Sequence, residues 1–102
     1  MKIMFICGNG VSSGMIAART RNEGVSRGYD VTTEAFSYAQ LPDNIDNFDV
    51  VLVAPQVKFN EKKIAEICKN HHRPYAVIDA MSFATLDAKK CFDTALQCMK
   101  ER

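Results

Sequence analysis

With 102 residues, 47% of them apolar and 25% charged, the chain has the length and composition of one soluble domain over residues 1–102, which excludes a disordered segment or a membrane-embedded body. Its formal net charge of +1 excludes nucleic-acid binding of the kind that rests on a strong basic excess. No apolar run approaches the roughly 20 residues of a transmembrane helix, and Cys7, Cys68, Cys91 and Cys98 fall at no zinc-ligand spacing, so the expectation is a cytosolic protein with reduced thiols, no metal and no cofactor.

In chain order, residues 2–6 are almost continuously apolar and run into glycines, as a buried strand of a parallel sheet does. A helix is predicted to begin near Ser12 or Ser13, with Gly24 weakening its last turns and Gly28 as a stop. Residues 30–36, rich in β-branched side chains, suit an edge strand. Leu41 and Ile45, four apart, could anchor a short helix after Pro42. Residues 49–54 read as the central strand, stopped by Pro55. Residues 61–71 place Ile64, Ile67 and Cys68 on one helical face. Residues 75–78 follow Pro74 as a fourth strand, and residues 86–100 form a last helix with Cys91, Ala95, Cys98 and Met99 on one stripe.

Strands alternating with helices predict an α/β fold: a four-stranded parallel, doubly wound sheet with helices on both faces and right-handed crossovers. Ligands of such sheets bind beyond the carboxyl ends of the strands, where the first strand passes into the first helix. Cys7 stands there.

The segment Cys7-Gly8-Asn9-Gly10-Val11-Ser12-Ser13-Gly14 has the make-up of a phosphate cradle. Glycines let backbone N–H groups converge on an anion, Ser12 and Ser13 add hydroxyl donors, and a helix N-terminus favours negative charge before it. A free cysteine titrates near ~8.5 and falls to ~3.5–7.5 beside a helix N-terminus or cations, which makes Cys7 a nucleophile aimed into an anion site. The bland reading, a buried strand-end cysteine before a tight turn, is outweighed by the agreement of switch point, glycines and serines. The dinucleotide fingerprint fails because Ser13 stands at the third glycine, and the Walker lysine is absent.

These residues resemble the cytoplasmic B components of enzyme II in the bacterial sugar phosphotransferase system, of the lactose, cellobiose and chitobiose type. The likeness rests on Ile3-Met4-Phe5-Ile6-Cys7 followed by Gly10, Ser12 and Ser13, on the strand ending Ala54-Pro55-Gln56-Val57, and on Val77-Ile78-Asp79, in matching order and spacing. The resemblance implies that Cys7 accepts a phosphoryl group from a histidine of the A component (IIA) and passes it to a sugar, a β-linked disaccharide such as cellobiose, lactose or chitobiose, bound by the membrane C component (IIC). It also implies a cytoplasmic protein that meets the membrane through IIC. The loop departs from the commoner Cys-Ser-Ala-Gly-Met-Ser-Thr-Ser in having Gly8, Asn9, Val11, Ser13 and Gly14, which removes hydroxyls at positions 8 and 14.

The competing readings are a low-molecular-weight phosphatase or arsenate reductase and a non-catalytic module of the same fold. The enzymes carry an arginine six residues after the cysteine, where this chain has Ser13, so a main electrostatic term for hydrolysis is missing. Pro55, Gln56 and Asp79 are candidates for the rim, with helix capping weighed ahead of acid chemistry for Asp79. His71 and His72 read as a solvated helix end rather than a metal or phosphohistidine site. Arg19, Arg21 and Arg27 form a basic side of the first helix that could meet an acidic partner, against a default of plain solvation. Cys68, Cys91 and Cys98 read as core.

Overall fold

The computed structural model describes residues 1–8 and 13–101. β1 (Lys2–Cys7) is buried from Ile3 onward because both of its faces are covered: Ile3 and Phe5 enter one apolar layer, Met4 and Ile6 the other. β2 (Thr32–Ser37) and β3 (Val50–Val53) flank it, and β4 (Tyr75–Val77) pairs with β3, giving an all-parallel sheet in the order β2-β1-β3-β4. The strand predicted at an edge is at an edge, and residues 50–53 lie inside the sheet with no exposed side chain.

Helices α1 (Gly14–Ser26) and α5 (Ala88–Glu101) cover one face, where Ile16, Ala17, Cys91, Phe92 and Ala95 meet Ile3, Phe5, Val50 and Leu52. The short α2 (Leu41–Asn44) and α3 (Glu61–Asn70) cover the other, where Leu41, Ile45, Ile64 and Cys68 meet Met4, Ile6, Val51 and Val53. Leu41 and Ile45 are fully buried, which is why so short a helix forms around Pro42.

Gly24 belongs to the packing rather than to the fraying of α1. A Cβ there would lie 2.6 Å from Val31 and 2.7 Å from Phe92, so the missing side chain lets α1 close onto the β2 side and α5. The helix ends at Ser26, and Gly28, at φ +88°, turns the chain into the left-handed region that a side chain resists. Arg27 is bound at this end: Nε lies 2.7 Å from Glu23, Nη1 2.6 Å from Asp93, and its guanidinium stacks over Phe92 at 5.2 Å. It is therefore a clamp between α1 and α5, at the end of α1 opposite the Cys7 loop.

Two elements depart from the expected pattern. Residues 55–60 form a 3-10 segment, begun by a proline pre-set for the first helical turn. The expected helix from residue 86 is instead α4 (Ala80–Ala84) and α5, broken at Leu86 (φ 55°). Each start has its own aspartate: Asp79 accepts from the Ser82 N–H at 3.0 Å, and Asp87 from the Lys90 N–H at 3.0 Å.

Candidate functional site

Cys7 is the last residue of β1, opposite Ser37 of β2, and the preceding Ile6 carbonyl accepts from Ala54 N–H at 2.8 Å. These bonds on both sides hold the strand end, and the Cys7 side chain is fully buried. Gly8, next in the chain, is exposed and is bordered by the 3-10 segment: a Cβ at Gly8 would lie 4.0 Å from Val57. Asn9, Gly10, Val11 and Ser12 of the proposed cradle lie outside the described residues.

Ser13 stands at the N-cap of α1. Its carbonyl accepts the helix bond from Ala17 N–H at 2.9 Å, and by helix geometry the first N–H groups after it have no intrahelical acceptor. The Ser13 side chain does not cap the helix, no acidic residue stands in the first turn, and its fully buried Oγ has no hydrogen-bond partner among the described residues. A buried hydroxyl left so costs about 1–3 kcal/mol, so this position carries a polar group that the fold itself does not use. Gly14 is exposed and no atom lies within 4 Å of where its Cβ would stand.

Asp79 lies beyond β4, two strands from β1 and so roughly 10 Å across the sheet from it. Its carboxylate accepts from the Ser82 hydroxyl at 2.7 Å and the Ser82 N–H, and pairs with Lys90 Nζ at 3.0 Å. The Ser82 bonds, then Lys90, hold its pKa well below the usual carboxylate range. An aspartate so engaged is a fixed anion and a helix cap, not a proton donor to Cys7. Pro55 and Asp79 share the lining of an open groove of about 680 Å³ with Lys58, Glu61 and Tyr75; Gln56 is exposed at the start of the 3-10 segment.

The other cysteines sit in the apolar layers. Burial pushes the thiols of Cys68 and Cys91 up to about 11, Cys91 with a further contribution from Asp87, and raises that of the half-buried Cys98. Cys98 Sγ lies 3.8 Å from the Tyr75 carbonyl. None is poised as a thiolate. His71 is not merely solvated: its Nδ1 lies 2.9 Å from Asp46, and Arg73 bonds the Phe48 carbonyl at 2.6 Å, so the end of α3 is tied to the 45–47 turn. No cluster of three metal-ligating side chains occurs among the described residues, and none of their helices is long and apolar enough to cross a membrane.

What sequence reasoning missed is the wall beside Gly8 and the pairing of Asp79 with Lys90. The first had a signal, a proline at the start of a helical turn; the Asp79-x-x-Ser82 spacing announced the cap, but not its lysine.

Residues 2–94 match the family described as "PTS system, Lactose/Cellobiose specific IIB subunit". The oligo-beta-mannoside-specific EIIB component of the PTS of Bacillus subtilis (strain 168) is 24% identical over 98 residues, covering 96% of this chain and 95% of that protein. Among solved structures, the cellobiose-specific phosphotransferase IIB component of Borrelia burgdorferi superposes with a TM-score of 0.82 at 33% identity, over 99% of this chain and 93% of that one. The lactose-specific IIB domain of Streptococcus pneumoniae superposes with a TM-score of 0.86 at 16% identity, over 96% of each chain, a likeness of fold.

Proposed function

The chain belongs to the lactose/cellobiose-specific IIB family of the phosphotransferase system, and from that premise we propose that it is a single IIB domain, residues 1–102, that carries a phosphoryl group on Cys7. A phosphohistidine of the IIA component is the donor: the Cys7 thiolate attacks phosphorus, the N–P bond breaks and an S–P bond forms. A hydroxyl oxygen of the sugar held by the membrane IIC component then attacks phosphorus, the S–P bond breaks, and the thiolate returns while the hydroxyl proton leaves on the acceptor side. The sugar is a β-linked disaccharide or related oligosaccharide, in keeping with the relatives' names, and the protein works in the cytoplasm against the membrane.

The observation that carries this reading is the start of α1, the helix that follows Cys7, where Ser13 buries a hydroxyl that has no partner among the described residues. A phosphoryl group on Cys7 would give that hydroxyl an anionic acceptor and meet the N–H groups of the first turn, together with those of residues 8–12. Holding phosphate by neutral donors keeps it transferable, whereas the guanidinium that a phosphatase needs is replaced here by Ser13.

Incubated with phosphoenolpyruvate, the general carrier proteins and a matching IIA component, the protein gains one phosphoryl group, located on Cys7 by peptide mass spectrometry. Cys7→Ser gains none; Cys68→Ser, Cys91→Ser and Cys98→Ser are still labelled. Membranes with IIC and its sugar discharge the label into sugar phosphate. Label on His71 or His72, or loss to inorganic phosphate at one rate with and without sugar, overturns the reading, the latter in favour of a phosphatase.

A further inference from the structure

β1 carries one half of the proposed site and α1 the other, and the chain joins them through residues 8–12. They are joined a second time through β2. Thr33 Oγ1 donates to the Ala17 carbonyl at 2.7 Å, and the Ala17 N–H donates to the Ser13 carbonyl at 2.9 Å. Two bonds in line therefore run from the sheet to the N-cap of α1, the residue whose buried hydroxyl has no partner among the described residues. The same strand holds the end of β1. It is in register with β1 from Lys2↔Thr32 to Cys7↔Ser37, so Thr33 stands opposite Ile3, four residues and about 13 Å before the level of Cys7.

The fold does not need the Thr33 bond to satisfy a buried acceptor. By helix geometry the Ala17 carbonyl already accepts from the N–H four residues on, at Arg21, so the threonine supplies a second bond to that oxygen. The hydroxyls of Thr20 and Ser26 also bond α1 carbonyls, but they reach back within the helix, to Ile16 and Glu23. Among the described residues, Thr33 is the one hydroxyl that reaches an α1 carbonyl from another element.

Thr33 stands between Val31 and Ala35, which both belong to the apolar layer that α1 and α5 cover. Hydrophobic contact in that layer is not directional, whereas a hydrogen bond fixes both a distance and an angle. At its far end α1 is tied to Asp93 by Arg27. Near its start the polar tie to the sheet is Thr33.

Resting on the carrier reading above, we propose that Thr33 is a positioning residue for phosphoryl transfer: through Ala17, its hydroxyl sets where the start of α1 and the Ser13 side chain stand relative to phosphorus on Cys7. It acts through the helix and not on the phosphoryl group, since it lies about 13 Å along the strand from the level of Cys7. Such a tie matters to rate because misplacing a reacting or stabilising group by ~1 Å can cost ~10²-fold.

The test compares Thr33→Val, which keeps the branched shape and removes the hydroxyl, with Thr33→Ser, which keeps the hydroxyl. Label transfer to the full chain is followed at varied concentrations of phosphorylated IIA. Thr33→Val is expected to lower kcat about tenfold with KM for the donor unchanged, the mark of an interaction that serves the transition state. Its melting temperature should fall by no more than the ~4–8 °C that one hydrogen bond is worth in a domain of this size. Thr33→Ser should return kcat to within twofold of wild type. In the unphosphorylated protein, NMR should find amide exchange at Ala17 at least tenfold faster in Thr33→Val and at the wild-type rate in Thr33→Ser.

A kcat within twofold of wild type in Thr33→Val overturns the proposal, whatever the melting temperature, and assigns the hydroxyl to stability. A raised KM with kcat unchanged overturns it too, as does an equal loss in Thr33→Ser, where packing and not the hydroxyl would be responsible. If the wild type takes no label, the carrier reading is what fails, and exchange at Ala17 judges the tie by itself: faster exchange confined to Thr33→Val upholds it, and equal rates overturn it.

Discussion

Two helices begin at the same edge of the sheet, and they treat their first turns in opposite ways. α4, after β4, has Asp79 at its N-cap, with the carboxylate shared between the Ser82 N–H, the Ser82 hydroxyl and Lys90. α1, after β1, has Ser13, whose buried hydroxyl caps nothing, and no acidic residue in its first turn. Both starts attract negative charge. The chain supplies that charge itself at α4 and withholds it at α1, the helix that follows Cys7, which is the contrast expected if the second position takes the anion proposed above.

The sharpest way to break this contrast is Ser13→Ala. A hydrogen bond to a charged group is worth ~1.5–3 kcal/mol, so transfer to sugar, or the half-life of the phosphorylated protein, is expected to fall about tenfold or more. The melting temperature of the unphosphorylated protein stays level or rises, because a buried hydroxyl without a partner has been removed. Unchanged label lifetime and a lower Tm would assign Ser13 to the fold.

Asp79→Ala should show the reverse: a Tm lower by a few degrees in thermal unfolding, with labelling of Cys7 retained. The same comparison has an acid signature. Since the folded pKa of Asp79 is depressed, its contribution is complete above the unfolded value of ~3.9 and disappears as pH falls below it toward the folded value. Stability of the wild type and of Asp79→Asn, measured by denaturant unfolding, should converge as pH is lowered through that range; a gap that persists there would show that the cap works without its charge.

The remaining effect is confined to alkaline pH. Cys68 and Cys91 keep their protons in the fold to about 11, while in the unfolded chain they ionise near ~8.5. Their contribution is intact below ~8.5 and lost as pH rises to about 11. Cys91→Ala should flatten this slope in unfolding free energy, and neither thiol should react with iodoacetamide at pH 8 while the protein is folded.

The residues alone were enough to read the parallel α/β plan, the edge place of the strand expected over 30–36, the inner place of the strand expected over 49–54 and the position of Cys7 at the end of β1. A strand covered on both faces must be apolar at every position, so β1 and β3 are written as continuous runs, and the loop chemistry lies within eight consecutive residues. Long-range packing is what makes Gly24 a contact with Phe92, clamps α1 to Asp93 through Arg27, pairs Lys90 with Asp79 and brings His71 to Asp46. It also brings the Thr33 hydroxyl to the Ala17 carbonyl. The partners in these cases stand 11 to 68 residues apart in the chain, beyond the reach of any helical or strand period, and are brought together because each crossover returns the chain to the same end of the sheet or packs one helix against another.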